Sequence, residues 1–481
     1  MNRLSSIPPL FVALVLFAGF GLSGCLTLGP DFETPVVDTP SAYRYAPEDP
    51  GQDQDLKWWE LFQDPVLYDL VSTALQNNQD LKVALSRIEE ARFSYGITRA
   101  DRFPAVNIGA GGFVGNYSGT RSTYTNNNLY VAPTLSWELD FWGKIKRSTA
   151  AARAQFLASA YGAWAVRTTL IANVATAYYQ LLDYRQCLEM SRETLVSRQD
   201  GLDIIIKRFD KGIIPEIDVN QAQIQLEVAA GAIPAYERLI AKAEHQLKLL
   251  MGCLPGAVQT GLSLDQQPLP PMIPVGMPAS LLERRPEVKK ALALVHASNE
   301  KIGVAVAQRF PAISLTGALG LASSEVSNIT NQGGIWNVSG SLLGPLFDFN
   351  KSRNRVDVAR EQTRQALLTY ESVVLTAFKE VEDALVDLDT YKRESQASQR
   401  KVAAAQNAHK LSFERYDKGI SSYLEVLDSQ RTLFSAQLEY SQNRQLYFNA
   451  YVSLYKALGG GWLTKRTEVV NAVENGTLSE E

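Results

Sequence analysis

Between Leu129 and Phe141 the chain changes character at almost every residue. Leu129, Val131, Leu135, Trp137, Leu139 and Phe141 are apolar, with Pro133 as the one interruption, while Tyr130, Thr134, Ser136, Glu138 and Asp140 between them are mostly polar. A period of two marks a strand whose faces meet different surroundings. The preceding run PAVNIGAGGFVG places Val106, Ile108, Ala110 and Val114 on one side, against Asn107 and glycines on the other. The pattern returns with Ile313, Leu315, Leu319 and Leu321 against Ser314 and Thr316, then with Trp336, Val338 and Leu342. Four strands are predicted, at about 104–116, 129–142, 311–322 and 335–347.

The rest of the chain follows helical spacing. Residues 80–102 form one helix that stops before Pro104. Residues 148–209 contain no proline and are rich in Ala, enough for a helix of about 90 Å. Along it Val174, Leu181, Leu188, Leu195, Leu202 and Phe209 recur every seventh residue, as in a left-handed coiled-coil seam. A return helix follows from about 217 to 251, with a kink expected at Pro234.

The chain carries this plan twice. RFDKGI at 208–213 comes back as RYDKGI at 415–420, and RFPAVNIGAGG at 102–112 comes back as RFPAISLTGAL at 309–319, both displaced by 207 residues. LDFWGK at 139–144 answers LFDFNK at 346–351 with a residue or two of slippage, and the second seam, Val381, Leu388, Ser395, Val402, His409 and Tyr416, is less cleanly apolar. A displacement that long indicates a duplicated domain and not a solenoid. The first repeat covers 63–252, with a helical hairpin over 148–251 and its tip near 210–215. The second covers 287–459, with a hairpin over 352–458 and its tip near 417–422. Between them residues 253–286 carry seven prolines and are expected to be an irregular connection. Residues 460–481 form a tail.

The amino terminus supplies the compartment. One Arg, an apolar run from Leu10 to Phe20 and small residues up to Cys25 make residues 1–24 an export signal, too short for a comfortable membrane span. LSGC at 22–25 resembles the lipobox of bacterial lipoproteins, which implies diacylglyceryl and N-acyl lipid on Cys25 and a lipidated extension over 25–62. Leu26, in place of Asp, implies sorting to the outer membrane.

Composition excludes several classes. With 47 basic and 51 acidic residues nothing suggests a nucleic-acid surface. Beyond the signal there is no uninterrupted apolar run of membrane-spanning length, so any crossing is by strands. Cys187 and Cys253 are too few for a disulfide framework, and the three His are scattered without metal-ligand spacing. No catalytic or nucleotide-binding motif is present, so neither an enzyme nor a cofactor is expected. Amphipathic strands on their own fit a half-buried soluble sheet as well as a membrane barrel. The export signal and the polar loops GNYSGTRSTYTNNN and ASSEVSNITNQGG favour the barrel. Four strands cannot close alone, since two edges would lie unpaired in hydrocarbon at several kcal/mol per backbone group. Two chains would supply eight strands and a filled barrel, and three would supply twelve and a lumen.

LSGC, GPDFETP at 29–35, ALQNNQDLKVALSRIEEAR at 74–92, LLERRPEVKKALALVHASNEKIGVAVAQRFPAISLTGALG at 281–320 and both DKGI tips resemble the TolC-like outer membrane factor family, specifically its OprM/NodT-type efflux lipoproteins. The resemblance covers nearly all of the mature chain. It implies an α+β membrane protein, a homotrimer with one twelve-stranded β-barrel continuous with a periplasmic α-helical coiled-coil barrel. It also implies a passive exit duct in the Gram-negative outer membrane, joined by a periplasmic adaptor to an inner-membrane pump, most often of the proton-driven RND type.

The tips Asp210–Lys211–Gly212 and Asp417–Lys418–Gly419 end helices, and by resemblance they also meet the adaptor. In SYLEVLDSQR at 422–431 a four-residue step puts Leu424 and Asp428 on one helix face, where the family narrows its pore. The first repeat aligns Ile217 with Leu424 but Gln221 with Asp428, so one repeat alone supplies the acid. A solvated surface Asp is the plain alternative. A type I secretion duct and a structural lipoprotein without a pore are the rival functions. The exported substrate is not encoded in any of these motifs.

Overall fold

A computed structural model of the protein describes residues 27–46, 63–115, 126–270, 273, 275–325 and 334–460. Cys25, the export signal, most of both long strand loops and the tail from 461 onward lie outside the described residues. The chain divides into two compact units, residues 1–36, 88–158 and 291–370 in the first, and 37–87, 159–290 and 371–481 in the second.

The first unit holds the sheet. Strands β1 (Ala105–Gly115), β2 (Asn126–Leu139), β3 (Ala312–Ser323) and β4 (Gly334–Leu343) follow one another in sequence order, each antiparallel to the next. Residues directly opposite share a face. Val106 faces Leu135, Val131 faces Leu321, Trp137 faces Leu315, Ile313 faces Leu342 and Leu319 faces Trp336, so one side is apolar across all four strands. Asn107–Thr134, Ser136–Thr316 and Ser314–Ser341 line the other side, where Thr316 and Ser339 hydroxyls lie 2.7 Å apart. The apolar side is bare: Ile108 is 79% exposed and Val338 77%. A half-buried soluble sheet would cover it. The β2–β3 ladder skips Ala132 and Pro133, since Pro133 has no N–H to donate and Gly320 lies too close to Ala132 for any side chain.

β2 and β4 end three and four residues before the sequence expectation, for identifiable reasons. After Leu139, Asp140 leaves the ladder and its carboxylate accepts the Ile145 and Lys146 N–H groups, 2.9 and 2.7 Å, at the start of the next helix. β4 stops before Gly344–Pro345, and Asp348 then accepts the Ser352 N–H at 2.9 Å. The one-residue shift between Asp140 and Asp348 is the slippage seen between LDFWGK and LFDFNK.

Helices α1 (Pro65–Asn77), α2 (Gln79–Ala100), α3 (Lys144–Asp210) and α4 (Glu216–Leu250) belong to the first repeat, and α6 (Pro286–Ala307), α7 (Lys351–Asp417) and α8 (Tyr423–Ala457) to the second. The two long helices have 67 residues each and the two return helices 35 each. Every boundary of α3 and α4 reappears 207 residues later in α7 and α8. α4 continues through Pro234. The heptad seam is buried at Val174, Leu181, Leu188 and Leu202, while Phe209 at the tip is exposed. In the second repeat Val381 and Tyr416 are buried and the positions between them only half-buried, as the mixed sequence there suggests.

Beneath the sheet, the repeats are joined by a buried ion pair. Arg147 on α3 and Glu300 on α6 are each about 5% exposed, and Arg147 Nη1 lies 3.1 and 3.2 Å from the two carboxylate oxygens. Arg147 also donates to the Leu28 and Gly29 carbonyls and to Asp31, so residues 27–32 form a strap across the joint. Gly29 packs on Gly303 with no room for a side chain at either, and Phe32 stacks on His296 at 4.4 Å. Burial alone would raise the Glu300 pKa, but hydrogen bonds and charge from His296 and Arg147 outweigh it and hold the carboxyl below the usual range.

The inter-repeat segment is irregular over most of its length, as its prolines predict, but it is held down by named contacts. It contains a short 3₁₀ turn at Leu264–Gln266 and helix α5 (Pro278–Arg284), and it buries Val258, Leu264, Ile273, Val275 and Leu281. Its anchor is Asp64, 2% exposed, which caps α1 through the Val66 N–H and accepts from Tyr178 Oη and Gln267 Nε2, both at 2.6 Å. Asp64→Ala removes the cap and the acceptor of the buried Tyr178 hydroxyl, while Gln267 Nε2 keeps the Leu262 carbonyl at 3.1 Å, so a loss of about 2–3 kcal/mol is expected in thermal unfolding of the helical signal. Tyr178→Phe removes the bond to Asp64 and the one accepted from the Gly261 N–H at 3.0 Å but leaves the cap, so a loss of about 1–2 kcal/mol is expected.

Candidate gate at the helical tips

Both tips are built the same way. α3 ends at Asp210 and α7 at Asp417, and Gly212 and Gly419 follow with φ of +70° and +72°. The N–H of Ile213 reaches the Arg208 carbonyl and that of Gly212 the Phe209 carbonyl; Ile420 and Gly419 do the same to Arg415 and Tyr416. This is the Schellman closure of a helix by a left-handed glycine. Nothing lies within 4 Å of a Cβ built on either glycine, so only backbone conformation requires Gly here. Gly212→Ala and Gly419→Ala should each cost about 1 kcal/mol locally. Hydrogen–deuterium exchange is expected to speed up at the substituted tip alone.

The two tips pack side by side. Leu202, Ile205, Ala222 and Leu226 of the first hairpin share one apolar cluster with Tyr416, Tyr423, Val426 and Leu427 of the second. Over it, Arg208 Nη2 lies 2.8 Å from Asp417 Oδ1, and its guanidinium sits 4.8 Å from the centre of the Tyr416 ring. Tyr416 in turn contacts Tyr423 at 5.2 Å. Arg415, the second repeat's counterpart of Arg208, turns instead to Glu425 at 3.0 Å. Asp210, Lys211 and Lys418 stand exposed beside these pairs.

The candidate constriction residues lie on the first turns of α8. Burial of Val426 and Leu427 in the cluster turns Leu424, 61% exposed, and Asp428 outward together. Asp428 Oδ1 is 2.6 Å from Arg431 Nη2, so the carboxylate carries its own counter-ion one turn along. In the first repeat Ile217 is as exposed as Leu424, while Gln221 is half-buried. The asymmetry expected from sequence is therefore in place: both repeats offer an apolar side chain and one offers an acid.

Arg208, Arg415, Arg431 and the Tyr416–Tyr423 contact were not among the sequence candidates. The signal for the first two was available, because each Arg opens the repeated hexapeptide. Arg431 closes the SYLEVLDSQR stretch at helical reach from Asp428. Among the described residues no group of three or more His, Cys, Asp or Glu side chains could hold a metal ion, and no helix is long and apolar enough to cross a membrane.

The outer membrane efflux protein family model matches the chain twice, at residues 70–253 and 277–460, again 207 apart. The solvent efflux pump outer membrane protein SrpC of Pseudomonas putida is 34% identical over 467 residues, covering 94% of this chain and 98% of its own length. The cation efflux system protein CusC of Escherichia coli is 33% identical over 452 residues, covering 92% and 96%. Among solved structures, the open state of the Neisseria gonorrhoeae MtrE outer membrane channel superposes with a TM-score of 0.81 at 28% identity, over 90% of this chain and 98% of that one.

Proposed function

The chain belongs to the outer membrane efflux protein family, and from that membership we propose that three copies assemble into one passive exit duct of a tripartite efflux system. As a member it is an outer membrane channel component of an efflux pump, spanning the outer membrane and reaching into the periplasm, and the family is not one of enzymes.

The open sheet carries the trimeric reading. β1 and β4 each leave one edge without a partner among the described residues, and the apolar side faces outward. About half the residues of an edge strand turn both backbone groups away from the ladder. Leaving those groups bare in lipid at several kcal/mol each costs on the order of tens of kcal/mol per chain. An even number of alternating strands lets β4 of one copy meet β1 of the next antiparallel, as barrel closure requires. Eight strands would fill with side chains, whereas twelve leave a channel. The glycine-rich polar side then lines the water.

The lipid anchor at Cys25 fits the same arrangement. Thr27 is fixed beside Lys146 at 3.1 Å, and Leu28 donates to the Trp142 carbonyl where β2 hands over to α3. Two residues of chain reach about 7 Å, so an acyl group on Cys25 would enter the leaflet at the base of the sheet. Three copies also present six similar tips, a repeat suited to a ring of periplasmic adaptor hairpins delivering cargo from an RND-type pump. A photo-crosslinker at Ile213 or Ile420, both over 60% exposed, should capture that adaptor in cells.

Purified lipidated protein in planar bilayers tests the duct directly. Discrete, long-lived conductance steps are expected, and a reconstituted protein that passes no ions contradicts the proposal.

A further inference from the structure

We propose that neighbouring copies join through Phe93, Gly96 and Ile97 of α2 on one side and Asn354 and Val358 of α7 on the other. This contact would repeat the joint that unites the two repeats inside one chain, with apolar packing in place of its buried ion pair. The proposal rests on the trimeric reading and names the surfaces that make the contact.

The duplication supplies the template. Shifting each residue of the internal joint by 207 carries Arg147 to Asn354, Ala151 to Val358, Glu300 to Phe93, Gly303 to Gly96 and the adjoining Val304 to Ile97. Arg147, Ala151, Glu300 and Gly303 are buried where α3 meets α6. Their counterparts are open: Phe93 is 64% exposed, Ile97 67% and Val358 55%, with Asn354 and Gly96 exposed as well. The sheet follows the same rule, since β2 pairs with β3 inside the chain while the outer edges of β4 and β1 have no partner among the described residues.

Two observations point to a second copy as the occupant. The Arg and the Glu of the internal joint have both been replaced, although their counterparts lie far apart in sequence. Losing one member alone would leave a buried charge without its partner, a strongly destabilising change, so paired loss is expected if Asn354 and Phe93 face each other across chains. Gly96 gives the second. A Cβ on Gly303 would strike the Arg147 side chain at 2.9 Å, which explains that glycine. A Cβ on Gly96 meets nothing within 4 Å, yet a glycine within a helix costs about 1 kcal/mol relative to Ala. Close approach of α7 from the next copy gives Gly96 the same reason that Arg147 gives Gly303.

The test uses the full lipidated protein in mild detergent, with Cys187→Ala and Cys253→Ser as background. Adding Gly96→Cys and Asn354→Cys together and treating with a short bifunctional thiol reagent should give covalent dimers and trimers on a denaturing gel, whereas either substitution alone should not. In the native-cysteine protein Phe93→Glu should lower the trimer fraction, and adding Asn354→Arg should restore it by rebuilding the ion pair of the internal joint. A trimer by light scattering that neither crosslinks at this pair nor responds to Asn354→Arg overturns the proposed surface and leaves the trimer standing. A monomeric unsubstituted protein overturns the trimeric reading and this surface with it.

Discussion

Glu300→Ala is expected to destabilise the sheet-bearing unit by about 2–4 kcal/mol, somewhat less than for a wholly unpaired buried charge, because the Arg147 guanidinium loses its buried carboxylate and keeps only the exposed Asp31. The strap should respond too, since Arg147 holds residues 28–31 through two carbonyls and Asp31. Limited proteolysis is then expected to release the amino-terminal segment at temperatures where the parent protein keeps it, and the strand signal in circular dichroism should melt earlier. Acid should act in the same direction. The folded Glu300 carboxyl sits below its ordinary value, so its contribution is complete above the unfolded value of about 4.3 and fades as pH falls through the lower folded value. Glu300→Gln should flatten that acid limb while costing stability at neutral pH. An unchanged melting profile for Glu300→Ala would show that the ion pair does not hold the repeats together.

The second large effect is expected in conductance. Leu424→Ala with Asp428→Ala should widen the tip opening and raise single-channel conductance in planar bilayers several-fold, since three copies remove three apolar side chains and three acids at once. The separate substitutions report different properties. Leu424→Ala should act on pore size, whereas Asp428→Ala should also lower cation preference. Because Asp428 is paired with Arg431, Arg431→Ala should have the opposite sign, freeing the carboxylates and increasing cation preference. Ile217→Ala supplies the first-repeat control and is expected to change conductance less, as no acid stands beside it. Equal effects from Ile217→Ala and the double variant would remove the second repeat's special role.

How much of this was readable beforehand depended on the distance between interacting residues. Val106, Leu135, Trp137 and Leu319 announced the sheet because a two-residue period is local and the bare apolar face keeps it strict. The heptad from Val174 to Leu202 is local as well, and its positions are buried as the pattern requires, apart from the half-buried Leu195. Strand ends were less legible, because they depend on where Asp140 and Asp348 abandon the ladder to cap helices. The inter-repeat segment is irregular as its prolines predict; what the prolines do not show is its anchoring by Asp64 and Tyr178, which lie far from it in sequence. Arg147 and Glu300 are 153 residues apart, and neither carries a local signature.

The candidate gate residues fell between these cases. Leu424 and Asp428 were found from helix geometry and resemblance, and they stand outward together. The Arg208–Asp417 pair across the tips escaped notice because 209 residues separate its members, although both lie within the two copies of the hexapeptide. Alignment of the repeats, more than either copy read singly, shows where the copies differ in chemistry: Gln221 against Asp428, Phe93 against Glu300 and Asn354 against Arg147.

The central claim is that one chain supplies a sheet with two open edges and that identical chains close it. The mass of the protein purified from membranes in mild detergent, read by light scattering together with its strand signal, tests this most directly. Three chains per particle with an intact sheet is the predicted result. A single chain per particle with the same strand content would contradict it.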